Sequence, residues 1–401
     1  MKKFEEYEEE IYKCSRCGLC QSVCPVFKAS LNECAVSRGK FNMLNGVLKG
    51  DLKLNQKIKS YLDMCTGCNA CKDFCPSKID ARKIFVAAKE EYYKTNSCLI
   101  KEQFLNSYFG FKCALNFAKI SFNLYRFLKL EKLFNLCLPI IKRTGYLGRR
   151  LTLINALIKQ DYKNSFQNET KQKAKTAVYF EGCFNKYLNP QTEDAVKKIL
   201  EKSDINLIKK DFECCGVSYL NDGDTENFLK LVKTNVQKAG TNYDYILTDC
   251  ASCFDALKSY ENYFESAESK EFANKVTDVA ELITKQEFTS EKKFKIAVHK
   301  PCHDSSNFID TVKNIKNTDF IEVEDYDKCC GFSGKFALKY EEISQEISRQ
   351  KAQKYIDSDV DIILTTCPAC ILGLEQGLAM INSAKKPKVM NLFVFIAKYC
   401  L

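Results

Sequence analysis

From Thr176 onward, short apolar runs alternate with longer segments whose apolar residues recur every three to four positions. The short runs are rich in β-branched and aromatic side chains and read as strands; the longer periodic segments read as helices. The pattern predicts strand 176–180, helix 192–202, strand 205–209, helix 226–239 and strand 245–248. It then recurs as strand 295–299, helix 306–314, strand 319–323, helix 342–355 and strand 362–365. Alternating strands and helices imply parallel α/β sheets, so two repeated modules are expected, at 174–290 and 291–401.

Ahead of them the period is helical. Apolar spacing predicts helices over 38–49, 56–64 and 81–93, giving a mainly helical domain at 1–97. Residues 98–165 also show helical spacing, through Phe104, Phe111, Leu115, Ile120, Phe122, Tyr125, Leu128, Leu133, Phe134 and Leu138. Interleaved are Lys112, Lys119, Arg126, Lys129, Lys132, Lys142 and Arg143. This segment holds 12 Lys and Arg against 3 Asp and Glu, nearly all of the chain's net charge of +10. A basic amphipathic segment reads as a membrane-surface element or as a helical hairpin packed on its own domain or a partner. Without a nucleic-acid motif beside it, no nucleic-acid partner is expected. Residues 161–175 are polar and read as a linker. The fold class is therefore α+β and multidomain: a helical N-terminal domain, a helical segment, then two α/β modules.

Composition changes this picture at one point. With 45% hydrophobic and 28% charged residues the chain reads as ordinary soluble protein, but 23 cysteines are not ordinary. Met1 to Glu10 is polar and acidic, unlike a secretory leader. No run approaches the ~18–20 apolar residues of a spanning helix. Abundant cysteine without secretion implies metal or redox chemistry rather than disulfides. The expected location is cytoplasmic, free or peripheral on the inner face of the cytoplasmic membrane.

Eight cysteines form two copies of one signature: Cys14-x2-Cys17-x2-Cys20-x3-Cys24-Pro25 and Cys65-x2-Cys68-x2-Cys71-x3-Cys75-Pro76. Four thiolates per copy match a [4Fe–4S] cluster, and in two-cluster ferredoxins the fourth Cys of each run ligates the other cluster. One cluster is thus assigned to Cys14, Cys17, Cys20 and Cys75, the other to Cys65, Cys68, Cys71 and Cys24. Zinc sites are four-coordinate and do not need the third and fourth cysteines at these spacings.

The remaining pattern sits in the modules. The first carries Cys183, Cys214-Cys215-Gly216 and Cys250-x2-Cys253; the second carries Cys302, Cys329-Cys330-Gly331 and Cys367-x2-Cys370. Each group follows a predicted strand, at the carboxyl ends where ligands collect in such sheets. The five thiols of each module are therefore expected at one mouth. Five are one more than a cubane cluster or tetrahedral zinc requires, and an adjacent pair suits two sides of an opened cluster. A glycine after each pair suits a turn where backbone approaches inorganic sulfur. The alternatives are zinc, a redox dithiol, or a module without metal. His303 follows Cys302 and reads as a hydrogen-bond donor to cluster sulfur, a proton relay, or a plain turn residue. Cys34, Cys98, Cys113, Cys137 and Cys400 fit no ligand spacing and read as small apolar residues.

The doubled ferredoxin signature followed by two CCG modules resembles the glycolate oxidase iron–sulfur subunit family. That family is grouped with the CCG-bearing iron–sulfur subunits of anaerobic glycerol-3-phosphate dehydrogenase and of heterodisulfide reductase. The resemblance covers nearly the whole chain. Ser37-Arg38-Gly39-Lys40 stands where glycolate oxidase subunits have an Arg-Gly-Arg segment. The run Cys329 to Ala337 is similar to the CCG segment of lactate-utilisation iron–sulfur proteins. The resemblance implies electron transfer from a separate FAD-bearing 2-hydroxyacid dehydrogenase subunit towards quinone, and no GxGxxG fingerprint for a flavin is present here. It also implies, by position, non-cubane [4Fe–4S] clusters in one or both CCG modules, with reduction of a disulfide there as the alternative function.

Overall fold

The computed structural model of the protein describes residues 2–96 and 174–401, apart from 190, 202 and 305. The basic stretch 98–165, with Cys98, Cys113 and Cys137, lies outside the described residues. Helices form at Ser37–Leu48, Gln56–Asp63 and Ala81–Thr95, close to the expected bounds. The second starts where the Asn55 side chain accepts from the Lys57 and Ile58 amides, the third where Asp80 accepts from Lys83. Such side chains satisfy amides that the first turn leaves unpaired. Their apolar faces close one core around Phe4, Phe41, Leu44, Ile58, Leu62, Ile84 and Phe85.

Each module is a four-stranded parallel sheet. The first contains β1 (Lys175–Tyr179), β2 (Ile205–Lys209), β3 (Tyr245–Thr248) and β4 (Val276–Asp278), in the order β2-β1-β3-β4. The second contains β5 (Thr289–Val298), β6 (Lys316–Phe320), β7 (Ile362–Thr365) and β8 (Lys388–Asn391), in the order β6-β5-β7-β8. The repeat extends to register. Tyr179 pairs with Leu247 in the first sheet and Val298 with Leu364 in the second.

Two strands lie outside the sequence expectation. Val276–Asp278 and Lys388–Asn391 are too short to show a period, and each leads straight into a helix. A third is displaced: β6 occupies Lys316–Phe320, three residues before the apolar run 319–323. It is an edge strand pairing with β5 alone, so polar residues are tolerated there.

The modules share a core. Helix Gln191–Leu200 packs against helix Leu392–Tyr399, and Val196, Ile199, Leu247, Ile296, Val298, Phe393 and Ile396 form one apolar cluster. The reversal of strand order lies between β1 and β3, and again between β5 and β7. Binding crevices form at such switch points, outside the strands' carboxyl ends. Among the described residues no helix is long and apolar enough to cross a membrane.

Candidate functional site

The N-terminal thiols fall into two groups. Cys14, Cys17, Cys20 and Cys75 line one cavity with Ser37, Arg38 and Cys71. Cys24 and Cys71 each lie in the electrostatic field of Cys65 and Cys68. The fourth cysteine of each run therefore sits with the first three of the other. Burial pushes the Cys24 and Cys71 thiols up to about 12.

The segment 37–40 serves both groups. The Ser37 hydroxyl bonds Cys71, and Arg38 lies near Cys14 and Cys20. Lys40 is fully buried; its Nζ donates to the carbonyls of Ala35 at 2.7 Å and Met64 at 2.8 Å. Burial pulls its pKa down, while Cys65, Cys24 and Cys71 oppose that pull. A cation so placed offsets the negative charge of a thiolate-bound cluster. The family resemblance includes Lys40 but does not give its role; the available signal is a lysine inside the apolar face of a helix.

All ten CCG cysteines line a single cavity of about 130 Å³, together with Cys65, His303, Lys89, Lys335 and Lys339. That space exceeds the ~10–15 Å³ needed for one water many times over. Both five-thiol sets thus open into one chamber, whereas the repeat alone predicts a separate mouth for each. Sulfurs of Cys183 and Cys214 lie 3.6 Å apart, those of Cys330 and Cys370 3.5 Å apart. Across the module boundary Cys250 bonds Cys367, which also meets the Ser252 hydroxyl at 3.5 Å.

The CCG turn is the same device twice. Gly216 (φ +82°) donates its amide to Cys214 Sγ at 3.4 Å; Gly331 (φ +85°) donates to Cys329 Sγ at 3.4 Å. A Cβ at Gly216 would lie 2.7 Å from Phe228, and one at Gly331 would lie 2.8 Å from Ile347. Both the left-handed backbone and the close packing therefore require glycine. Hydrogen bonds from Cys183 and Cys215 pull Cys214 well down, and bonds from Cys329 and Cys370 do so for Cys330. Each module thus contains a sulfur on which hydrogen-bond donors converge.

The N-terminal part is docked onto this chamber. A hydrogen bond with Cys329, then burial, pushes the Cys68 thiol well up, so Cys68 lies against the second module's cysteine pair. Cys68, Cys302 and Cys329 also face a common outer cleft. His303 Nε2 meets the Gly67 carbonyl at 2.9 Å, and Ser333 donates to the Thr66 carbonyl at 2.8 Å. His303 is thereby placed at the joint between the two ligand regions. The first module is held by Arg82, which pairs with Asp255 at 2.9 Å, and by Lys89, which donates to the Asn221 carbonyl at 2.7 Å. Two buried carboxylates complete the joint. Asp63 pairs with Lys59 at 2.7 Å and Lys339 at 3.1 Å; Asp222 pairs with Lys335 at 2.6 Å and Lys339 at 3.3 Å. Burial alone would raise both carboxyls, but the lysines outweigh it and hold both below the usual range.

Iron–sulfur clusters fit this donor chemistry: grouped thiols, amides aimed at sulfur, and buried cations beside them. A 4Fe–4S dicluster domain family matches residues 10–79, and a cysteine-rich CCG domain family matches twice, at 177–258 and 296–375. The chain thus carries a dicluster domain followed by two cysteine-rich CCG domains. Among its relatives is a probable glycolate oxidase iron–sulfur subunit of Bacillus subtilis, 22% identical over 96% of this chain and 93% of that one. One subunit of the dihydromethanophenazine:CoB–CoM heterodisulfide reductase of Methanosarcina acetivorans is 23% identical over 92% of this chain and 89% of its own length. Lactate utilization protein A of Oceanobacillus iheyensis is 26% identical over 45% of this chain and 78% of its own.

Proposed function

We propose that this chain is the iron–sulfur electron-transfer subunit of a flavin-dependent 2-hydroxyacid dehydrogenase, with glycolate or lactate as substrate. The FAD is carried by a partner subunit. Cys14, Cys17, Cys20 and Cys75 hold one [4Fe–4S] cluster, and Cys65, Cys68, Cys71 and Cys24 hold the other. The ten CCG cysteines hold further iron–sulfur centres. Bound clusters supply one-electron relay; the protein fixes their order and surrounds them with charge. The observation that carries this reading is the meeting of the two thiol regions: Cys65 lines the CCG chamber, and Cys68 shares a cleft with Cys302 and Cys329. Electrons then leave towards quinone. The basic stretch 98–165 supplies attraction to an anionic membrane surface. Changing Lys129, Lys132, Lys142 and Arg143 to Glu is expected to release the protein from anionic vesicles; unchanged binding would remove that element.

The test is rapid mixing of the complex, chain and flavoprotein together, with glycolate or lactate. Bleaching of the iron–sulfur absorbance followed by reduction of a quinone analogue is expected. Reduced flavin beside clusters that stay oxidised would refute the reading. The alternative, reduction of a disulfide at the CCG centres, draws on the shared chamber walled by Lys89, Lys335 and Lys339. A disulfide would take two electrons and two protons there and leave as two thiols. Viologen-driven turnover of a disulfide panel decides it, and no turnover removes it.

A further inference from the structure

The second module contains a polar group that the first lacks. His299 follows β5 and its amide bonds the Leu364 carbonyl at 2.9 Å; Phe180 follows β1 and its amide bonds the Leu247 carbonyl at 2.8 Å. Both stand three residues before the module's first cysteine, so they occupy one position of the repeat. Both are fully buried. Phe180 packs against Phe212, with ring centroids 5.0 Å apart. His299 has no such apolar use. Neither of its ring nitrogens makes a hydrogen bond of normal geometry, although the Tyr326 backbone lies close enough to favour a ring proton on its side.

Burying an imidazole whose ring nitrogens make no hydrogen bond of normal geometry is unfavourable, so this position requires an explanation. One is at hand. A ring nitrogen of His299, Cys330 Sγ and Cys370 Sγ all lie within 4.8 Å of one another. Ligands bonded to one tetrahedral metal at ~2.0–2.3 Å sit roughly 3.3–3.8 Å apart; the two sulfurs already do, at 3.5 Å, and an approach by the ring nitrogen completes the set.

We infer that His299 is a nitrogen ligand to one iron of the second module's iron–sulfur centre, beside Cys330 and Cys370. This rests on the reading that the second module binds such a centre. Imidazole is neutral where thiolate is anionic, so a coordinated His299 gives the second module's centre a ligand set that the first module, with Phe180 at that position, lacks. The second module is also the one that Cys68 touches. Electrons arriving from the N-terminal domain therefore meet the histidine-bearing CCG centre first.

The chain contains two histidines, His299 and His303, so nitrogen-15 histidine reports on these alone. The full chain is purified anaerobically with 57Fe and examined by pulsed EPR through a redox titration and by Mössbauer spectroscopy. The expected result is a strongly coupled histidine nitrogen and one distinct iron subsite. His299→Phe, which installs the first module's residue, abolishes both at unchanged iron content and shifts the potential of that centre. His303→Gln keeps them. Where Phe displaces iron, His299→Gln gives the same readout with a smaller side chain. Iron subsites unchanged in His299→Phe, or a coupling lost in His303→Gln instead, would overturn the inference. Iron content unchanged by Cys330→Ser would overturn the underlying reading, and this inference with it.

Discussion

The two CCG modules have the same strand order, register and glycine turn, yet they meet the rest of the molecule differently. The first faces the N-terminal part through charge: Arg82 on Asp255 and Lys89 on the Asn221 carbonyl. The second adds a sulfur contact to its ion pair of Lys339 with Asp63: Cys68 lies against Cys329, and His303 meets the Gly67 carbonyl beside it. At the end of the central strand the first buries Phe180 and the second His299. The frame shared by both is set by packing, which any divergence would damage. What changed lies on loops beyond the strand ends, where a substitution alters chemistry and leaves the sheet intact.

Removing one cysteine from each module tests this contrast hardest. If each holds its own cluster, Cys215→Ser and Cys330→Ser each lower iron by about four per chain and leave the other module loaded. Identical loss of all CCG iron in both variants would mean one shared centre, and the contrast between modules would lose its basis. Metal analysis with EPR reads this directly.

A smaller effect is expected at the joint. Asp222→Ala leaves Lys335 without its buried partner and takes one of two from Lys339, which keeps Asp63; it is expected to cost ~3 kcal/mol in urea unfolding. Glu226→Ala removes the exposed pair with Lys230 and is expected to cost less than ~1 kcal/mol. Equal effects would show that the joint is not held by buried charge. The depressed carboxyls of Asp63 and Asp222 give this stabilisation a sign in pH. It is complete above the ordinary carboxylate value of ~4 and is lost as pH falls towards the lower folded values. Asp222→Asn is expected to flatten that acid limb, and an unchanged limb would contradict the assignment.

Smaller again, and the same in both copies, is the turn. Gly216→Ala and Gly331→Ala are each expected to cost ~2 kcal/mol, from the left-handed backbone and the crowded Cβ. A loss confined to one variant would show that the turns are not equivalent.

Much of this is legible in the chain. Spacing alone identifies the ferredoxin signature, the repeat, and most strands and helices, because local periodicity sets them. Val276–Asp278 and Lys388–Asn391 escape it because three or four residues carry no period, and β6 is displaced because apolar residues mark burial rather than edge pairing. The common chamber and the docking of Cys68 on Cys329 depend on residues hundreds of positions apart, which no local pattern reports. His299 escapes for a different reason: Cys302 draws attention to its immediate neighbour, His303. Superposing the two copies on their first cysteines sets His299 against Phe180 and brings it out.

Whether the CCG half holds iron–sulfur centres in line with those of the N-terminal half comes down to metal content. Iron and zinc per chain, on anaerobically purified protein, give the answer. We expect ~16 iron without zinc, four clusters of four. A value near ~8 iron, with or without zinc, would confine the redox centres to residues 14–75 and leave the CCG chamber without the role assigned to it.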